Sequence, residues 1–203
     1  MPEPALGEFL DLVHGRRGHF RLESGYHAGL WLDLDGLFAR PRAIAPFVAR
    51  LSGRLRTHDP DLVCGPLLGG ALLAQSVSAA LDIEFCFTEP AVPGRGVGLF
   101  RARYRLAAAF HAQVQHRRVA VVDDVMSAGS SLRATCAELQ AYHATPVVVG
   151  ALLVLGSVGE RHFTDEQGLP VEAVVRDRFD LWPESECPLC AQGMSLEDPA
   201  SPT

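Results

Sequence analysis

Apolar positions along the chain follow two alternating patterns. Short runs that are apolar almost throughout stand at 61–65 ("DLVCG"), 83–88 ("IEFCFT"), 118–122 ("RVAVV") and 146–155 ("PVVVGALLVL"). Between them lie stretches with apolar residues at helical spacing. Ile44, Phe47, Val48, Leu51 and Leu55 mark one face of a helix over 42–58. Residues 70–81 form a second, and Leu132, Cys136 and Leu139 mark a third over 130–144. Strands that are apolar on both faces and separated by helices predict an α/β fold: a parallel sheet of five or six elements covered by helices on both faces. Residues 7–16 read as a short helix. Phe20, Leu22, Trp31, Leu32 and Leu34 flank a Ser-Gly turn and predict a hairpin or hood over 1–40. A Gly/Pro/Arg loop is expected over 89–106. From Trp182 the chain is Pro-rich and mixed, which divides it into a domain of residues 1–181 and a tail of 182–203.

Composition narrows the class. No apolar run approaches the roughly 20 residues that span a bilayer, and the acidic, proline-bearing start resembles neither a secretory signal nor a transit peptide. The expectation is a cytoplasmic protein without a membrane partner. A net charge of −6 gives no electrostatic reason to bind nucleic acid. The chain contains no lysine, so any cation its chemistry needs, histidine aside, is an arginine. Five cysteines, an odd number, argue against a disulfide framework. Cys64, Cys86 and Cys136 sit in apolar surroundings and read as core residues.

The strand at 118–122 runs directly into Asp123 and Asp124, and Ser127, Ala128, Gly129, Ser130 and Ser131 then open a helix. Ligands of such sheets bind beyond the carboxyl ends of the strands. Backbone N–H groups at a helix start cradle phosphate, whereas adjacent carboxylates repel it and suit sugar hydroxyls or a shared divalent cation. The combination points to a sugar phosphate.

This stretch, "VVDDVMSAGSS", resembles the phosphoribosyl pyrophosphate (PRPP) signature of the type I phosphoribosyltransferases, and "DLVCGPLLGGALLA" resembles their pyrophosphate loop. The N-terminal "FRLESG…WLDLDGLF" is most similar to orotate phosphoribosyltransferases. The resemblance spans Phe20 to Leu155. It implies transfer of a phosphoribosyl group from PRPP to a nucleobase in pyrimidine nucleotide biosynthesis, with Mg2+, release of pyrophosphate and a homodimeric assembly. Asp123 and Asp124 would orient the ribose as catalytic residues, and Ser127 to Ser131 would hold the 5′-phosphate. Gly65, Pro66, Leu67, Leu68, Gly69 and Gly70 would hold pyrophosphate, clamped by Arg95, Arg101, Arg103 and Arg105. Glu23, Ser24, Gly25 and His27 would stand on the base side.

Three departures from the orotate pattern stand out. Glu23 replaces a lysine, the 89–106 loop has neither lysine nor histidine, and Gly156-Ser157 replaces an Asp-Arg pair that grips the base. A different pyrimidine or purine acceptor, or a non-catalytic PRPP-binding regulator, are the alternatives these departures leave. Cys187-x-x-Cys190 resembles a zinc-knuckle half-site. Tetrahedral zinc takes four ligands, and His19, His27, His111 and His116 show no ligand spacing in the sequence. Two readings follow: a second tail meeting the first across a two-fold axis to complete a four-thiolate zinc site, or a free, redox-labile thiol pair on a loose tail.

Overall fold

The structure, a computed structural model, describes residues 6–21, 26–34, 36–91 and 103–198. Its centre is a six-stranded sheet of order β5-β4-β3-β6-β7-β8. The strands are β3 (Leu62–Pro66), β4 (Glu84–Pro90), β5 (Tyr104–Leu106), β6 (Arg118–Met126), β7 (Thr145–Leu155) and β8 (Val171–Asp177). All neighbours are parallel except β5, which runs antiparallel along β4 at the edge.

Alternation along β6 shows why both faces must be covered. Ala120 and Val122 join a core with Leu51, Leu55, Leu73 and Val77, from α2 (Pro41–Leu55) and α3 (Gly69–Leu81). Val119 and Val121 join a second core with Leu132, Cys136 and Leu139 of α5 (Ser130–Ala141) and with Phe163. Cys64 and Cys86 are fully buried in that second core, as their apolar neighbourhood predicts. The short helices α4 (His111–Val114) and α6 (Val158–Arg161) lie in the connections from β5 to β6 and from β7 to β8.

The hood is the hairpin of β1 (Arg16–Arg21) and β2 (His27–Trp31), preceded by α1 (Leu6–Leu12). Phe9, Val13 and Leu30 extend the first core into it. The segment read from sequence as a tail is laid along this hairpin. Its strand β9 (Leu181–Trp182) pairs antiparallel with β2, α7 (Pro188–Ala191) follows, and Glu197 bridges to Phe20.

Candidate active site

β6 continues through the acid pair instead of stopping before it. Asp123 pairs in register with Ala151 and Val125 with Leu153 of β7, an eleven-residue strand long enough to carry the ladder onward. On the other side β3 pairs with β6 only as far as Val121. The two carboxylates therefore stand at the carboxyl edge of the sheet, where one neighbouring strand has already turned away.

The space β3 vacates is filled by its own loop. A side-chain carbon on Gly69 would fall on the Asp124 carboxylate, and one on Gly70 would come within 2.9 Å of Asp123 Oδ1. A carbon on Gly65 would collide with the Gly70 carbonyl, so strand end and helix start touch backbone to backbone. Leu68 at the loop tip is 70% exposed. The glycine loop and the acid pair, separated by more than fifty residues in sequence, form one surface.

The loop after the acids has a fitted floor. Gly129 turns at φ +75° as the N-cap of α5. The Gly159 N–H donates to the Ser127 carbonyl at 3.0 Å. A carbon on Gly159 would stand 2.6 Å from that oxygen. The first-turn N–H groups of α3 and α5 have no acceptor within their helices, and the two positive helix ends bracket the acids.

Asp123 and Asp124 are 8% and 9% exposed. Ser131 Oγ donates to Asp123 Oδ2 at 2.7 Å, the Asp124 N–H to Asp123 Oδ1 at 3.1 Å, and the Val125 N–H to Asp124 Oδ1 at 2.7 Å. Burial pushes both carboxyls above the ordinary aspartate range, and for Asp123 the neighbouring Asp124 adds to the push. Tyr104 on β5, which sequence reasoning passed over, is also raised, by burial and then by the negative charge of Asp123. It is thus an electrostatic neighbour of the pair.

The expected arginine clamp divides. Arg95 and Arg101 lie outside the described residues, as do Glu23, Ser24 and Gly25. Arg103 is exposed, and Arg105 is held by Glu89 at 3.4 Å. A cavity of about 940 Å3 opens beside Ser127 and Ala128. Gly156 and Ser157 line it, together with Arg161, Arg176 and Arg178, which sequence reasoning missed. The signal was the basic "VVRDR" ending a strand in the next unit.

His27, expected beside the base, is buried at 1% exposure with its ring against His19, and its Nδ1 lies 3.3 Å from Cys190 Sγ. The sequence reading of these histidines as scattered is corrected: His19, His27, Cys187 and Cys190 converge. A hairpin spacing conceals this, because no ligand pattern is visible until the strands pair.

Comparison with known proteins agrees with this geometry. Residues 39–162 match the phosphoribosyl transferase domain. The orotate phosphoribosyltransferase of Heliobacterium modesticaldum is 32% identical over 92% of this chain and 91% of its own length. That of Thermotoga maritima is 30% identical over 91% and 90%. Two solved structures share the fold: adenine phosphoribosyltransferase from Thermoanaerobacter pseudethanolicus and orotate phosphoribosyltransferase from Aeropyrum pernix. The first has a TM-score of 0.65 at 15% identity, covering 85% of this chain and all of its own. The second has a TM-score of 0.64 at 20% identity, covering 85% and 93%. Acid pair, glycine loop and family match coincide on the same sheet edge, and the chain belongs to the phosphoribosyltransferase family, within which it stands with the orotate phosphoribosyltransferases.

Proposed function

We propose that the chain transfers the phosphoribosyl group of PRPP to orotate and releases pyrophosphate. The observation that carries this reading is the buried Asp123–Asp124 pair lying against Gly69 and Gly70, between the N-termini of two helices. In the reaction the bond from the anomeric carbon to pyrophosphate breaks and a bond to the base nitrogen forms. Positive charge develops on the ribose and negative charge on the leaving group. The carboxylates accept hydrogen bonds from the ribose hydroxyls, fix the ring and oppose the ribose charge. The helix starts after Leu68 and Gly129 receive the two phosphate ends. Paired carboxylate oxygens also fit a hard divalent cation. Mg2+ bound with PRPP would be held at Asp123 and Asp124 and would neutralise the departing pyrophosphate.

Orotate brings a carboxylate. Ser157 offers it one uncharged hydroxyl donor, whereas Arg161 and Arg178 line the same cavity with guanidinium groups and Arg176 is paired to Glu160 at 3.0 Å. Replacing Arg178 with Ala is expected to raise the KM for orotate several-fold more than that for PRPP. The same reading places the enzyme in pyrimidine nucleotide biosynthesis, as a cytoplasmic homodimer. Its mass by light scattering is then expected at twice the 21.9 kDa of the chain.

The test is pyrophosphate release from PRPP and Mg2+ with orotate, uracil and the purines offered separately. Release with orotate alone is expected. Release with another base alone would reassign the acceptor, and PRPP binding without turnover on any base would refute transfer.

A further inference from the structure

Outside the active site, the described residues hold one cluster whose chemistry the transfer reaction does not use. It joins the hood to the segment that follows the sheet. His27 sits opposite Arg21 in the β1–β2 ladder. His19 lies within the register shift of β1, and its ring centroid stands 5.0 Å from that of His27. The register shifts between Arg17 and Phe20, a bulge of the kind that re-aims a side chain. Cys187 is the N-cap of α7, Pro188 opens the helix, and Cys190 lies one turn along it.

The four donor atoms lie within 4.8 Å of one another. His19 Nε2 is 3.0 Å from His27 Nδ1, 3.5 Å from Cys187 Sγ and 3.6 Å from Cys190 Sγ. His27 Nδ1 is 3.3 Å from Cys190 Sγ. A tetrahedral zinc bonded at about 2.3 Å to sulfur and 2.0–2.1 Å to nitrogen spaces its ligands roughly 3.4 Å (N···N), 3.6 Å (N···S) and 3.8 Å (S···S) apart. The observed separations fall close to these values.

The surroundings of the cluster suit an ion. His19 Nδ1 is 3.0 Å from the Met194 carbonyl, which only accepts, so Nδ1 carries the proton and Nε2 turns a lone pair inward. Gly193, at φ +69°, makes the turn that brings that carbonyl back. His19, His27 and Cys187 are buried at 2%, 1% and 3% exposure. Two thiolates would balance a divalent charge in this enclosed place.

We propose that His19, His27, Cys187 and Cys190 bind one zinc ion within a single chain. Four protein ligands leave no open position, so the site is structural. Two soft thiolates and two imidazoles at tetrahedral spacing select zinc over magnesium or calcium. In this reading neither a second tail nor a free thiol pair is needed, because the hairpin supplies two imidazoles to complete the ligand set. The ion would tie β1 and β2 to α7, beside the backbone bonds from the Arg21 N–H to the Glu197 carbonyl and from the Glu197 N–H to the His19 carbonyl, both 2.8 Å.

The experiment is elemental analysis of the untagged full chain after dialysis against metal-free buffer, with cobalt(II) reconstitution of the stripped protein. The expected result is one zinc per chain and the intense visible bands of a tetrahedral cobalt site with two thiolates. Cys190→Ser, at an exposed residue, and His27→Ala should each lose the metal. If His27→Ala does not fold, the cobalt spectrum of the unaltered protein still reads the ligand set. One zinc per two chains with a four-thiolate cobalt spectrum would overturn the proposal in favour of paired tails. So would metal-free protein in which both thiols react freely or are joined as a disulfide.

Discussion

Two carboxyls whose burial opposes ionisation hold the centre of the candidate active site, and this makes the ligand-free enzyme sensitive to pH. The folded chain binds their protons more tightly than the unfolded chain does. Their contribution to stability is therefore complete below the unfolded aspartate value of about 3.9 and is lost as pH rises through the raised folded values. Asp123→Asn keeps an acceptor for Ser131 and removes the charge. It is expected to raise the melting temperature of the ligand-free protein at pH 7–8, by roughly 2–4 °C for each kcal/mol relieved. The gain should vanish toward pH 4 in a series of thermal melts. The same change, combined with Asp124→Asn, should abolish PRPP binding in calorimetry while the fold survives. A melting temperature unchanged or lowered at pH 8 would mean that the pair is not held against its own ionisation.

At the scale of elements, the site depends on two glycine contacts that bring segments together. Gly69→Ala would drive its new carbon into Asp124, and Gly159→Ala into the Ser127 carbonyl. Each is expected to weaken PRPP at least tenfold, about 1.4 kcal/mol, with circular dichroism unchanged. Gly69→Ala should act on pyrophosphate more than on ribose 5-phosphate, and Gly159→Ala the reverse. Much of this edge was legible in the residues. The strand, acids and helix start are consecutive in the chain, and an apolar run ending in charge marks a sheet edge locally. The strand β8 was not legible, since its burial alternates along the edge of the sheet and leaves a weaker apolar run. Nor was Tyr104, whose nearness to Asp123 arises from an antiparallel strand inside a Gly/Pro/Arg segment. The Cys/His cluster was hidden for a third reason: its ligands come from β1, β2 and α7, and only folding makes them neighbours.

Across the whole molecule, the hood is finished by residues that follow the central sheet. Removing the proposed zinc with a chelator is expected to lower the melting temperature by several degrees. It should also raise amide exchange at Arg21 and Glu197 while β6 and β7 stay protected, a local opening and not global unfolding. Uniform loss of protection would show that the hood and sheet unfold as one. The arrangement also bears on how the chain is made. Trp182, which pairs with His27, stands 155 positions after it (182 − 27). At roughly 5–20 residues per second on the ribosome, the hairpin waits on the order of 8 to 30 s for the strand that covers its edge. During that interval β2 presents an unpaired backbone to every other nascent chain nearby. Arg16 and Arg17 on β1, whose partners Glu197 and Asp177 are made only later, are then charged guards against premature association as much as parts of the finished enzyme.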